Sequence, residues 1–276
     1  MKKLTLLTAA MLCGVLTITA QNTEKGHEYV DLGLPSGLKW ATMNVGANCP
    51  EEYGDYFAWG ETAPKDDYDW NTYKFTTDGG STFTKYNGTD GKTTLDPEDD
   101  AAAVNWGGKW RMPTDAEWKE LKTNCTWTWT TLNGVNGYEV KSKTNGNSIF
   151  LPAAGGRGND YMGKAGDAGY YWSSSLNPDI PDCALYMYFV SEYVDRYNNS
   201  RYYGQSVRPV YDVTIIPTAL AAAEMPAVYA ADGRIVCAQE FRVFDLLGRD
   251  VTRQNGTLRG VYVVKTADAA QKVVVK

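Results

Sequence analysis

The chain holds one histidine, His27, and that bounds its catalytic chemistry at once. A Ser-His-Asp arrangement would have to use it. It stands near the start of the processed chain described below, where a loose imidazole is a poor base. Ser173-Ser174-Ser175 lies in no nucleophile-elbow pattern. Cys49, Cys125, Cys183 and Cys237 are far apart with no C-x-x-C pair, so their spacing points to no zinc site. Disulfides and free buried thiols both remain open for them. Carboxylates are abundant, and glycoside hydrolysis needs only two, with Trp and Tyr rings to stack on the sugar. Asp96-Pro97-Glu98-Asp99-Asp100 offers oxygen ligands of the kind calcium takes. It lacks the EF-hand spacing, and negative charge at a helix N-terminus explains it as well. No cofactor is expected; calcium fits the chemistry, but no motif supports it.

Recognition has a better candidate than catalysis. Between residues 186 and 203 stand Tyr186, Tyr188, Tyr193, Tyr197, Asn198, Asn199, Ser200, Tyr202 and Tyr203. Tyr, Asn and Ser give large contact area and adaptable hydrogen bonds at modest entropic cost. The ligand-binding candidates are therefore Tyr186, Tyr188, Tyr193, Tyr197, Asn198, Asn199, Tyr202 and Tyr203. The competing reading is a solvated hairpin that these residues merely coat. Trp40, Trp59, Trp110, Trp118 and Trp172 are expected in the core, with Trp127 and Trp129 half exposed.

These side chains need elements to hold them. Thr114 and Glu117 have the spacing of a capping box, and Trp118 and Leu121 recur at helical spacing, which predicts a helix over Asp115–Asn124. A shorter helix is predicted over Asp99–Val104. Tyr73–Tyr86 and Asn133–Asn147 read as turn-dense, and Asn87-Gly88, Asp90-Gly91 and Asn136-Gly137 read as tight turns. Strands are expected at Ser148–Pro152, at Tyr170–Ser174 and at Leu185–Val190, where side chains alternate with period two. The chain changes character near residue 212, after which there is no Trp. From Val228 onward it reads as short strands with a hairpin turn at Asp232-Gly233.

Lys2-Lys3, the apolar run to Thr17 and the small Ala20 have the layout of a secretory signal peptide over residues 1–20. No later stretch approaches the roughly 20 apolar residues of a membrane span. Net charge is −6, and the excess acid lies in residues 21–212. Such a surface repels nucleic acid and anionic lipid.

Several motifs together resemble the Fibrobacter succinogenes major paralogous domain. They include Tyr29–Ala41, Gly54–Glu61, Trp110-Arg111-Met112-Pro113-Thr114, Phe150–Gly155, Tyr171–Ser175 and Ser206–Val210. The resemblance covers roughly residues 26–211. It implies an α+β, C-type-lectin-like fold: a twisted antiparallel sheet, two helices and long loops, with residues 186–203 among the ligand-facing loops. The calcium triplets of such lectins are absent here, as is the cysteine pair of the superfamily's oxidases. Val243–Arg249, Leu258–Val264 and Lys272–Lys276 resemble the C-terminal sorting domain of type IX secretion, which implies a small all-β sandwich and export across an outer membrane.

The expected layout is a signal peptide at 1–20, a lectin-like domain at 21–212, a linker at 213–227 and a β-sandwich at 228–276. The expected function is an exported or surface-displayed, non-catalytic module that binds a glycan or a surface protein. A polysaccharide-active enzyme using carboxylates and a subunit of a surface fibre are the alternatives.

Overall fold

The computed structural model describes residues 22–212, 229–231, 234–237, 240–265 and 270–275. The signal peptide read at 1–20, the linker read at 213–227 and the turn read at Asp232-Gly233 lie outside the described residues. The chain divides into two compact units, Met1–Thr214 and Ile215–Lys276.

The first unit opens with β1 (Thr23–Glu24), β2 (His27–Asp31) and β3 (Lys39–Ala41). A long stretch of turns follows. Then come α1 (Ala101–Trp106), β4 (Trp110–Arg111) and α2 (Asp115–Asn124). β5 (Cys125–Leu132), β6 (Val135–Ser142) and β7 (Ser148–Pro152) form an antiparallel sheet. β8 (Gly156–Gly158) pairs with β9 (Tyr161–Gly163). β10 (Ala168–Leu176), β11 (Cys183–Val190) and β12 (Tyr193–Ser200) form a second three-stranded sheet. β13 (Val210–Tyr211) returns to lie between β3 and β4.

α2 forms where its local signals place it. Thr114 Oγ1 accepts the Glu117 amide at 3.3 Å, and the Glu117 carboxylate accepts the Thr114 amide at 2.7 Å. Two orphan donors of the first turn are thereby satisfied. Trp118 and Leu121 are fully buried. The shorter helix starts two residues later than expected. Asp100 is its N-cap, accepting the Ala102 and Ala103 amides at 2.9 and 3.0 Å, while Pro97–Asp99 makes a separate 3-10 turn.

Two apolar clusters fill this unit. One gathers Phe57, Trp59, Tyr73, Tyr86, Trp110 and Trp172; the other gathers Trp40, Trp118, Val140, Leu151, Tyr171 and Phe189. The sheet β10-β11-β12 separates them, because alternate residues of one strand face opposite ways. Trp172 and Tyr186 belong to the first cluster, Tyr171 and Met187 to the second. The five tryptophans expected in the core are all buried, and Trp127 and Trp129 are half-buried.

The second unit is β in its described part apart from a 3-10 turn at Thr252–Gln254. β14 (Tyr229–Ala231) pairs with β15 (Arg234–Val236). β16 (Arg242–Phe244), β17 (Gly260–Lys265) and β18 (Ala270–Val275) form a three-stranded sheet. Ile235, Val243, Leu258, Val264, Val273 and Val275 make its core.

The α+β, C-type-lectin-like expectation does not hold. The described residues are mostly β, split over several small sheets, with two short α-helices. Tight turns with left-handed glycines interrupt the chain, so no long continuous sheet forms. The segment 133–147, read as turn-dense, is also largely strand. The turn falls at Asn133-Gly134, with φ of 48° and 86°, and not at Asn136-Gly137. Gly137 sits inside β6, where a Cβ would meet the Leu151 carbonyl oxygen at 2.3 Å.

Candidate functional site

Residues 186–203 are not a loop region. They are mostly the hairpin β11–β12, with β12 at the open edge of its sheet. Antiparallel register pairs Tyr186 with Tyr197, Tyr188 with Asp195 and Val190 with Tyr193. On the other side Tyr170 pairs with Tyr188, and Trp172 with Tyr186. Residues paired across strands share a face, so five tyrosines lie together. Their rings form a continuous series. Tyr170 lies 5.1 Å from Tyr188, Tyr188 5.9 Å from Tyr197, and Tyr197 6.3 Å from Tyr193.

Exposure grades along this face. Tyr186 is buried at the cluster end, Tyr188 is half-buried, and Tyr193 and Tyr197 are 43% and 44% exposed. The two outer hydroxyls are hydrogen-bonded to each other at 2.8 Å. That bond pushes the Tyr193 hydroxyl up to about 12, so it stays protonated at neutral pH. Lys122 of α2 holds Asp195 at 2.7 Å beside the pair. It keeps the Asp195 carboxyl below the usual range.

The remaining candidates divide. Asn198 pairs with Leu185 and points to the opposite face from Tyr197, so it does not join the tyrosines. Asn199 lies on the tyrosine face. Tyr202 and Tyr203 follow the hairpin, their rings stacked at 4.3 Å, with Tyr202 against Trp70 at 4.8 Å. Arg201 anchors this turn. Its buried guanidinium donates to Tyr73 Oη and to the carbonyls of Lys85, Tyr86 and Pro181 at 2.9–3.2 Å.

Tyr203, Asn199 and Tyr170 also line a cavity of about 410 Å³. Its other walls come from β8, β9 and the segment 204–205, including Arg157, Lys164 and Gln205. The Gly-rich stretch 155–169 is visible in the sequence. Its meeting with residues 204–205, through the bridge between Arg157 and Gly204, is not.

His27 is not a loose terminal residue: it lies in β2, its ring stacks on Trp106 at 3.8 Å, and burial lowers its pKa. Cys49, Cys125, Cys183 and Cys237 are free thiols. The tyrosine-lined cavity has no carboxylate in its wall, and a second cavity near Thr42 and Phe150 has one, Glu139. Asp96, Glu98 and Asp99 do converge. Lys85 pairs with all three at 2.5–3.3 Å, Lys74 takes Asp99 at 2.7 Å, and Lys92 takes Asp96. Burial pushes the Asp99 carboxyl up, but these lysines and Tyr86 outweigh it and hold it below the usual range.

Among the described residues, no helix is long and apolar enough to cross a membrane. No family model, curated protein or solved structure matches the chain.

Proposed function

We propose that the protein is an exported, non-catalytic module that binds carbohydrate on the tyrosine face of the β10-β11-β12 sheet. The observation that carries this reading is the pair Tyr193 and Tyr197. Two large rings stand exposed on a regular strand, tied by their own hydroxyls, with half-buried Tyr170 and Tyr188 and buried Tyr186 behind them. Exposed apolar rings on a rigid support mark interaction surfaces. Tyrosine offers an apolar face for the C–H side of a sugar and a hydroxyl for its oxygens. The neighbouring cavity adds Asn199 and Gln205, whose amides both donate and accept. Export rests on the N-terminal residues 1–20 and on the resemblance of residues 243–276 to type IX sorting domains.

Screening the mature chain on a glycan array tests the reading. Tyr193→Ala with Tyr197→Ala should weaken the strongest hit about 10- to 100-fold, taking roughly 0.7–1.4 kcal/mol per ring. The melting temperature should stay unchanged. Full affinity in the double variant would move the site elsewhere. Deleting residues 228–276 should leave the protein in the periplasm; normal surface display would reject the export route.

A further inference from the structure

We propose that the cavity beside the tyrosine face takes the carboxylate of an acidic sugar, with Arg157 as its counter-ion. This rests on the carbohydrate reading above and narrows it to one class of ligand.

Charge is the first ground. Arg157 and Lys164 line the cavity, and neither Asp nor Glu does. Among the described residues no carboxylate pairs with either cation. Such a spot is unusual on a chain of net charge −6. The Arg157 guanidinium lies 5.8 Å from the centre of the Tyr68 ring, and cations without a carboxylate partner in a concave wall draw anions toward it.

Unfilled hydrogen bonding is the second. Gln205 is 1% exposed, yet its Oε1 and Nε2 both lack a partner, and so does the buried Nε of Arg157. A buried polar group without a partner costs about 1–3 kcal/mol, so native chains rarely leave three together. A ligand that supplies oxygens and hydroxyls there recovers the loss. The guanidinium fork matches a planar carboxylate, and the Gln205 and Asn199 amides suit ring hydroxyls.

Shape is the third. Gly158 lets the backbone lie against the Tyr203 ring, where a Cβ would come within 2.7 Å of Cε1. Gly204 does the same for Tyr68 at 2.6 Å. The cavity, about 410 Å³, suits a small ligand such as one or two sugar rings.

The test is calorimetric titration of the mature chain with galacturonate, glucuronate and sialyl oligosaccharides. Each is paired with its methyl ester, and a sulfated trisaccharide is added. At low salt at least one acid should bind tenfold or more tighter than its ester. Arg157→Gln should lower acid affinity at least tenfold and erase that preference, and Arg157→Lys should retain part of it. Equal binding of every acid and ester refutes the carboxylate assignment and leaves the carbohydrate reading standing. A preference that survives in Arg157→Gln, or a stronger preference for sulfate, refutes it as well. No binding by any compound, ester included, refutes the acidic-sugar assignment, and absence of any hit on the glycan array refutes the carbohydrate reading.

Discussion

Arg201 offers the sharpest test of how the site is held. Its guanidinium is fully buried and has no carboxylate partner among the described residues. Four acceptors surround it instead, and the Phe83 and Trp59 rings lie 4.4 and 5.0 Å from its centre. Desolvating the charge costs several kcal/mol, which favours an apolar replacement. Against that, a charged donor bond contributes about 1.5–3 kcal/mol, and the rings about 2 more. Arg201→Met also strands three carbonyls in the interior. The bonds and rings outweigh the desolvation, and the net loss should be about 3 kcal/mol. Arg201→Lys keeps the charge but loses the planar fork, so it should lose about half as much. All nine Trp lie between residues 40 and 172, so tryptophan fluorescence in urea follows this unit alone. The melting temperature of Arg201→Met should fall by about 6–12 °C for a unit of this size. A variant within 0.5 kcal/mol of the parent, a margin typical of a bystander surface change, would refute the reasoning.

Three further outcomes follow from the packing and the ion pairs. Gly169→Ala places a Cβ 2.1 Å from the Phe189 ring, and urea unfolding should show a loss of about 1–3 kcal/mol. Asp99 has a lowered pKa, so its contribution to stability is present above the unfolded value and is lost as pH falls through the folded one. Asp99→Asn should therefore flatten the decline of melting temperature below about pH 4, and an unchanged acid limb would contradict this. Millimolar calcium should leave the melting temperature unaltered, because lysine ammoniums already engage the Asp96, Glu98 and Asp99 carboxylates.

Local signals were legible and distant meetings were not. The helix Asp115–Asn124 was readable because its cap and its apolar spacing lie within ten residues. The choice between Asn133-Gly134 and Asn136-Gly137 was not, since both carry turn chemistry. The pressure of β7 on Gly137 decides it, and that contact comes from another strand. The same limit applies to the site. Tyr193 and Tyr197 announce themselves by composition. Arg157 and Gln205 look ordinary until bridges from Arg157 to Gly204 and from Phe57 to Gln205 bring them to one wall. The lectin-like expectation failed for a related reason: short motifs mark turns and core positions, whereas strand partnership sets the architecture.

The sheet that carries the tyrosines has an apolar cluster against each side. Its strands cannot separate without flooding both interiors at once. In hydrogen–deuterium exchange the β11 amides should therefore be among the last of this unit to exchange, at a cost close to that of global unfolding. The exposed rings stand on β12, which is paired with β11 along its whole length, so binding there would spend little of its free energy on ordering the protein.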